Sequence, residues 1–404
     1  MKPTFANVMK MLAIMPVLLS LTSRTSAQTK PVGDSKISEP LRLEAFRPRA
    51  MLKVAVNERT KGRFPVVDVH GHFSMKFHGS QQKLDDYVAM MDRTGVALSV
   101  NLDGELGDKW QDHAAFVWKK HRDRFLLFVH LDWRGDGKPN KPETWDCQRP
   151  DFARRIARQL KEAKAKGCSG VKFFKMFGLK YQDADGSFLK IDDRRWDPIW
   201  QACGELGLPV IIHTADPIAF FQPIDEKNER YEELYRHPNW SFADEKFPTH
   251  DELLAARNRV IERHPGTRFI GAHVANCSED LATVSQWLDK YPNLVVEIAS
   301  RIGELGRQPF TSRKFMIKYA DRIMFGTDGP KPERRMQLYF RFLETEDEYF
   351  PYSEKAFPPQ GFWNIYGVNL PDDVLRKIYY ENAARYIPGV KEKLIKAGVS
   401  VSAN

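Results

Sequence analysis

Four short apolar runs in this chain each end on a side chain able to hold a metal ion, and few folds can bring such ends together. Val66-Val67-Asp68-Val69 leads into His70-Gly71-His72, and Pro209-Val210-Ile211-Ile212 ends at His213. Arg268-Phe269-Ile270-Gly271-Ala272 ends at His273, and Ile323-Met324-Phe325-Gly326-Thr327 ends at Asp328. Short apolar runs bounded by turn residues read as buried parallel strands. A closed (β/α)8 TIM-like barrel gathers the ends of such strands, because its active site lies at their C-terminal rim. A single histidine of this kind is more simply a satisfied polar group at a strand end. Four in register favour a site.

The rest of the chain alternates in the same way. Ala97 to Leu102 reads as a second strand, Phe125 to Leu131 as a third, Ser169 to Phe174 as a fourth and Leu294 to Ala299 as a seventh. Helical patterns fall between them at Gln82 to Thr94, Phe152 to Lys166, Arg195 to Leu206, Asp251 to His264, Ser278 to Tyr291 and Thr311 to Tyr319. Gly95, Gly167 and Gly207 close three of these helices before a short connection. An open doubly wound sheet is the alternative, but no glycine-rich phosphate loop follows an early strand.

Two long rim insertions are expected after strands 5 and 8, at Ala215 to His250 and Gly329 to Pro371. The first carries Phe220, Phe221, Tyr231, Tyr235, Trp240 and Phe242, the second Tyr339, Phe340, Phe342, Tyr349, Phe350, Trp363 and Tyr366. So many rings suit a satellite core, a lid over the pocket, or an outward face that joins copies into a homo-oligomer.

The chain's 404 residues, 42% hydrophobic and 28% charged, suit a soluble globular protein. Residues 1–27 read as a cleaved signal peptide: Lys2 and Lys10 precede an apolar stretch, Met11 to Leu21, that is too short to span a bilayer. Residues 28–63 then form an N-terminal arm, 64–390 the barrel and 391–404 a C-terminal tail. Export to the periplasm or medium follows, with no stable membrane anchor. The net charge of +9 is spread among acids, which argues against a nucleic-acid partner and leaves a small-molecule substrate. Cys147, Cys168, Cys203 and Cys277 show neither metal-binding nor disulfide-framework spacing.

His70 and His72, two apart on a strand, project from one face. With His213 they make a three-histidine set suited to one divalent ion, zinc first, with Fe²⁺ or Mn²⁺ as alternatives. Asp328 can complete that set and also take a proton from a water acidified by the metal. His273 is better placed to polarise a substrate or move a proton than to ligate.

These motifs resemble the amidohydrolase superfamily, and within it the amidohydrolase-2 branch, which includes decarboxylases and lactone hydrolases. The matching stretches are Val67-Asp68-Val69-His70-Gly71-His72, Gly170-Val171-Lys172, Leu208 to Thr214, Gly271-Ala272-His273, Phe325-Gly326-Thr327-Asp328 and the tail Tyr379 to Arg385. The resemblance implies a TIM-like barrel, His70, His72, His213 and Asp328 as metal ligands, and His273 as catalytic histidine with Asp328 moving the proton. Some superfamily members hold a second metal on a carboxylated lysine at the fourth strand. Here Lys172 and Lys175 lie three apart, so a regular strand turns at most one of them to the pocket. Lys172 is expected to bind a substrate carboxylate, with a purely structural ion pair as the alternative.

Other charges near strand ends carry less weight. Arg301 is the best placed to grip an anion in bidentate fashion, followed by Lys331. Asp103, Asp132, Glu297 and Arg334 read more simply as solvated or ion-paired loop charges. The chemistry expected is hydrolysis of a small anionic ester, lactone or amide by metal-activated hydroxide. A metal-dependent non-oxidative decarboxylase of a small carboxylic acid is the runner-up. An exported binding protein on an inactive barrel is a third reading, which the complete ligand set disfavours.

Overall fold

The computed structural model describes residues 42, 45, 48–355 and 359–401. The segment read as a signal peptide lies outside the described residues. Chain contacts divide the protein into Met1–Lys53 and Val54–Asn404. Among the described residues, all the strands lie in the second unit.

Eight strands lie in one sheet in sequence order: β1 (Val66–Gly71), β2 (Val96–Glu105), β3 (Phe125–His130), β4 (Gly170–Phe173), β5 (Val210–Ile212), β6 (Phe269–Gly271), β7 (Leu294–Glu297) and β8 (Ile323–Met324). Each pairs in parallel with the next. Their residues are nearly all buried, as strands covered on both faces must be. A helix follows every strand: α1 (Gln81–Thr94), α2 (Trp110–His121), α3 (Phe152–Ala165), α4 (Asp197–Glu205), α5 (His250–Arg263), α6 (Leu281–Lys290), α7 (Pro309–Lys318) and α8 (Glu333–Glu344). This is the (β/α)8 barrel that the sequence predicts.

The ring closes where the barrel's first and last strands meet. Val69 N–H donates to Phe325 O at 3.1 Å, and Gly71 bridges in parallel to Gly329. The motif from Tyr379 to Arg385 lies in a helical segment from Asp372 to Tyr386, with a π-turn at Lys377–Glu381. It braces the last strand from behind: Ile378 O accepts from Phe325 N–H, and Asn382 Nδ2 donates to Ala320 O and Ile323 O. The stretch assigned to a C-terminal tail from residue 391 begins within a short helix, Val390–Lys396, whose Val390 and Leu394 are buried.

Long connections also follow β3 and β4, which the sequence reading did not mark as insertions. The loop after β4 folds back on itself through a bridge from Gln182 to Phe188. Like the stretches after β5 and β8, both leave the C-terminal ends of their strands.

Candidate functional site

The closing seam of the barrel carries the site. Gly329 N–H donates to His70 O at 2.9 Å and His72 N–H to Gly329 O at 2.8 Å. Asp68, buried within β1, accepts from Thr327 N–H at 3.0 Å and from Thr327 Oγ1 at 2.5 Å. The chain therefore reaches Asp328 in a fixed pose. Asp328 takes φ +60°, a left-handed conformation uncommon for a residue with a Cβ. That turn brings its Oδ1 to 3.5 Å from His72 Nε2 and 3.7 Å from His70 Nε2.

Both imidazoles are pinned from behind by carboxylates. His70 Nδ1 lies 2.9 Å from Glu297 Oε1, and His72 Nδ1 lies 2.6 Å from Asp103 Oδ1. An ionised carboxylate only accepts, so each ring carries its proton on Nδ1 and keeps a lone pair on Nε2. Glu297 reaches His70 past Gly326, where an added Cβ would meet its Oε2 at 2.8 Å. Burial, reinforced by the nearby Lys172 charge, holds the His70 pKa well below the usual histidine value. Burial raises the Asp328 carboxyl, but His70, Lys331, His273 and His72 outweigh it and hold it well below the carboxylate range. His70, His72 and Asp328 each offer a ligand atom within 4.8 Å of the others.

His213 ends β5 outside that triad. Its Nε2 is buried without a hydrogen-bond partner, 3.8 Å from Asp216 Oδ1. Burial pushes its pKa down to about 4, leaving a neutral ring with an unused nitrogen. Its ring centre lies 4.6 Å from that of His273, which in turn lies 4.9 Å from that of His70. His273 Nδ1 is 2.8 Å from Ala299 O, so that nitrogen donates and Nε2 is the free one. Its backbone N–H donates to Glu297 Oε1 at 2.8 Å. His70, His273 and Glu297 form a second close donor group, but there the carboxylate already accepts from both histidines.

A cavity of about 350 Å³ opens over these groups and is lined by His70, His72, His213, His273, Asp328 and Arg301, among others. Phe220, Arg230, Glu233 and Trp240 reach it from the stretch after β5, and Gln360 from the one after β8. Arg230 is almost fully buried, donating to Glu233 at 2.6 Å and to Glu304. Lys175, also in the lining, pairs with the buried Asp216. Sequence reasoning weighed Lys175 only as the alternative to Lys172 and missed Arg230, Glu233 and Asp216, which sit in a stretch with only short helical turns and no period to mark a face.

Three expectations about lysines and acids need correction. Lys172 and Lys175 both approach the site, since β4 stops at Phe173 and strand alternation no longer governs Lys175. Lys172 is buried beneath the cavity, with Nζ 3.3 Å from His70 Nε2 and its pKa pushed by burial down to about 8. Asp103 and Glu297 are not loop charges but the buried partners of the two HxH rings. Arg301 is buried at the cavity wall, and its Nη1 donates to Ser300 O at 3.2 Å. Lys331 stands outside the lining, behind Asp328, and burial pushes it to about 8.

Comparison with known proteins places this arrangement among relatives. Solved structures similar to the chain include an uncharacterised TIM-barrel protein of Bordetella bronchiseptica at 15% identity, covering 83% of this chain and all of that one, TM-score 0.47. A 2,6-dihydroxybenzoate decarboxylase from Rhizobium matches at 17% identity over 80% of this chain and 98% of its own, TM-score 0.48. A 4-oxalomesaconate hydratase from Rhodopseudomonas palustris matches at 14% identity over 82% and 98%, TM-score 0.47. No curated protein matches the sequence. The amidohydrolase family model (Amidohydro_2) matches residues 67–388, from the first strand through the bracing helix, and the chain belongs to that family.

Proposed function

We propose that the protein is a metal-dependent hydrolase of a small anionic ester, lactone or amide. One observation carries this reading: two histidines pinned through Nδ1 turn Nε2 toward Asp328, with Lys172 Nζ also 3.3 Å from that of His70, in the same cavity as the free Nε2 of His273. The donors suit a divalent ion. They are two imidazoles whose Nδ1 is occupied by a carboxylate, a carboxylate held ionised, and the unpartnered Nε2 of His213. His70, His72, His213 and Asp328 would hold it, and nitrogen-rich coordination of this kind favours zinc. Such an ion supplies Lewis acidity and lowers the pKa of water.

The chain's own groups supply the rest. Asp328 accepts a proton at its carboxylate. His273 accepts one at Nε2 and returns it to the leaving group, while Ala299 O fixes the ring through Nδ1. Arg301 offers a buried guanidinium to a substrate carboxylate, and its fork suits two parallel bonds. Phe220, Trp240 and Gln360 narrow the cavity and limit bulk water, which strengthens every charge inside.

Metal analysis of the purified protein, followed by a screen of lactones, esters, amides and aromatic carboxylates in ¹⁸O-labelled water, tests the reading. One divalent ion per chain and ¹⁸O in a product acid are expected. Release of CO₂ without label would replace hydrolysis with non-oxidative decarboxylation.

A further inference from the structure

His273 opens a left-handed turn that contains no glycine. Its φ is +56°, followed by Val274 at +56°, Ala275 at +53° and Asn276 at +58°. In this region Cβ crowds the following carbonyl oxygen, so L residues visit it singly, and a β-branched valine fits it worst. Four in succession need outside support. Gly271 makes room for the turn to fold back, since a Cβ there would meet Ala275 Cβ at 2.8 Å.

Three side chains supply that support, two from α5 and one from the end of the turn itself. Arg257, on α5, is fully buried and donates through Nη1 to Ala275 O. Its remaining hydrogen bonds go to Asn258 Oδ1, and its guanidinium lies 4.6 Å from the Trp287 ring centre. Among the described residues no carboxylate pairs with it. A buried guanidinium without a counter-ion is costly, and here its charge is directed at a backbone carbonyl of the turn. His250, the first residue of α5, places Nε2 3.0 Å from Asn276 O and donates there. Asn276 Oδ1 accepts from Thr214 N–H at 3.0 Å, and Thr214 directly follows His213.

We infer that Arg257, His250 and Asn276 are positioning residues: they hold the left-handed turn in place and thereby set His273 against His213. The clamp fixes two carbonyls of the turn, and Asn276 ties it to the end of β5. Without the clamp the turn relaxes, the Nδ1 bond to Ala299 O is lost, and the free nitrogen of His273 no longer has one direction. This assignment rests on His273 being the catalytic histidine, but its test needs no substrate.

The test is the tautomer of His273 in the full chain, read by NMR of ¹⁵N-labelled histidine, with the signal assigned by its absence in His273→Asn. The wild type should show one tautomer, protonated on Nδ1. Arg257→Met should shift that signal or split it between tautomers. Adding Ala275→Gly to Arg257→Met should restore the wild-type signal, because glycine adopts φ +53° without help. A merely structural Arg257 would lower the melting temperature and leave the His273 signal unchanged, which overturns the inference. So does a double variant that stays like the single one. If Arg257→Met fails to fold, His250→Phe removes the second clamp and is read in the same way. Full turnover in His273→Asn would instead sink the proposed function and leave the tautomer result standing.

Discussion

His70 and Glu297 are joined at 2.9 Å through the ring nitrogen that faces away from the cavity, and both are almost completely buried. The same carboxylate oxygen receives the backbone N–H of His273. One acid therefore orients a candidate ligand and the candidate catalytic residue together. Glu297→Gln keeps the shape but removes the charge and places an amide where an acceptor is needed. Metal affinity should fall by about 10–100-fold, as loss of an outer-shell partner does elsewhere. Zinc titration against a competing chelator measures it. Unchanged affinity would mean that Glu297 does not orient His70.

His273→Asn should reduce turnover by roughly 10²–10⁴-fold, the range for removing a positioned proton-transfer group. The metal content should remain that of the wild type, because the close donor group that contains His273 has its carboxylate, Glu297, already accepting from the His70 ring and the His273 backbone N–H. Elemental analysis beside steady-state kinetics separates the two outcomes. Loss of metal would make His273 a ligand.

Arg301→Ala should raise KM for a carboxylate substrate by about 10–100-fold, since hydrogen bonds to charged groups contribute about 1.5–3 kcal/mol and each 1.4 kcal/mol is tenfold. The corresponding neutral ester should be nearly indifferent to the change. Comparing the two substrates on both enzymes gives the answer. An equal effect on both would show that Arg301 shapes the cavity without reading charge.

Asp347 ties the arm to the second rim stretch: it accepts from Asn57 N–H at 2.7 Å and from Arg341 Nε at 2.7 Å. Burial raises its carboxyl pKa, but these donors outweigh burial and hold it below the ordinary value. A depressed folded pKa contributes stability above the unfolded value, near ~3.9, and that contribution is lost as pH falls through the folded one. Asp347→Asn should therefore melt a few degrees lower at pH 7. The gap to wild type should narrow as the pH drops below about 4. Melting curves across that range check the sign.

The parts of this molecule that sequence made legible are those where chemistry and period coincide. His70, His72, His213, His273 and Asp328 each end an apolar run, and the structure puts all five around one cavity. Glu297 and Asp103 were misread because their roles depend on which rings the barrel brings behind the strands, and spacing along the chain carries none of that. Arg230 and Glu233 sit in a stretch between β5 and α5 with only short helical turns, so no repeat points them inward. The left-handed turn was invisible for a different reason. Positive φ is normally announced by glycine, and Val274-Ala275-Asn276 contains none.

The seam where the ring closes joins the earliest part of the barrel to a late one: Asp68 and Thr327 bond across 259 positions. During synthesis His70 and His72 leave the ribosome first, while Asp328 emerges only after all eight barrel strands have been made. A nascent or truncated chain that stops short of Thr327 thus lacks the bonds that tie His70 and His72 to the seam, and the carboxylate that faces them. Under the proposed ligand set such a product would be one ligand short, and it should hold a divalent ion less tightly than the finished chain.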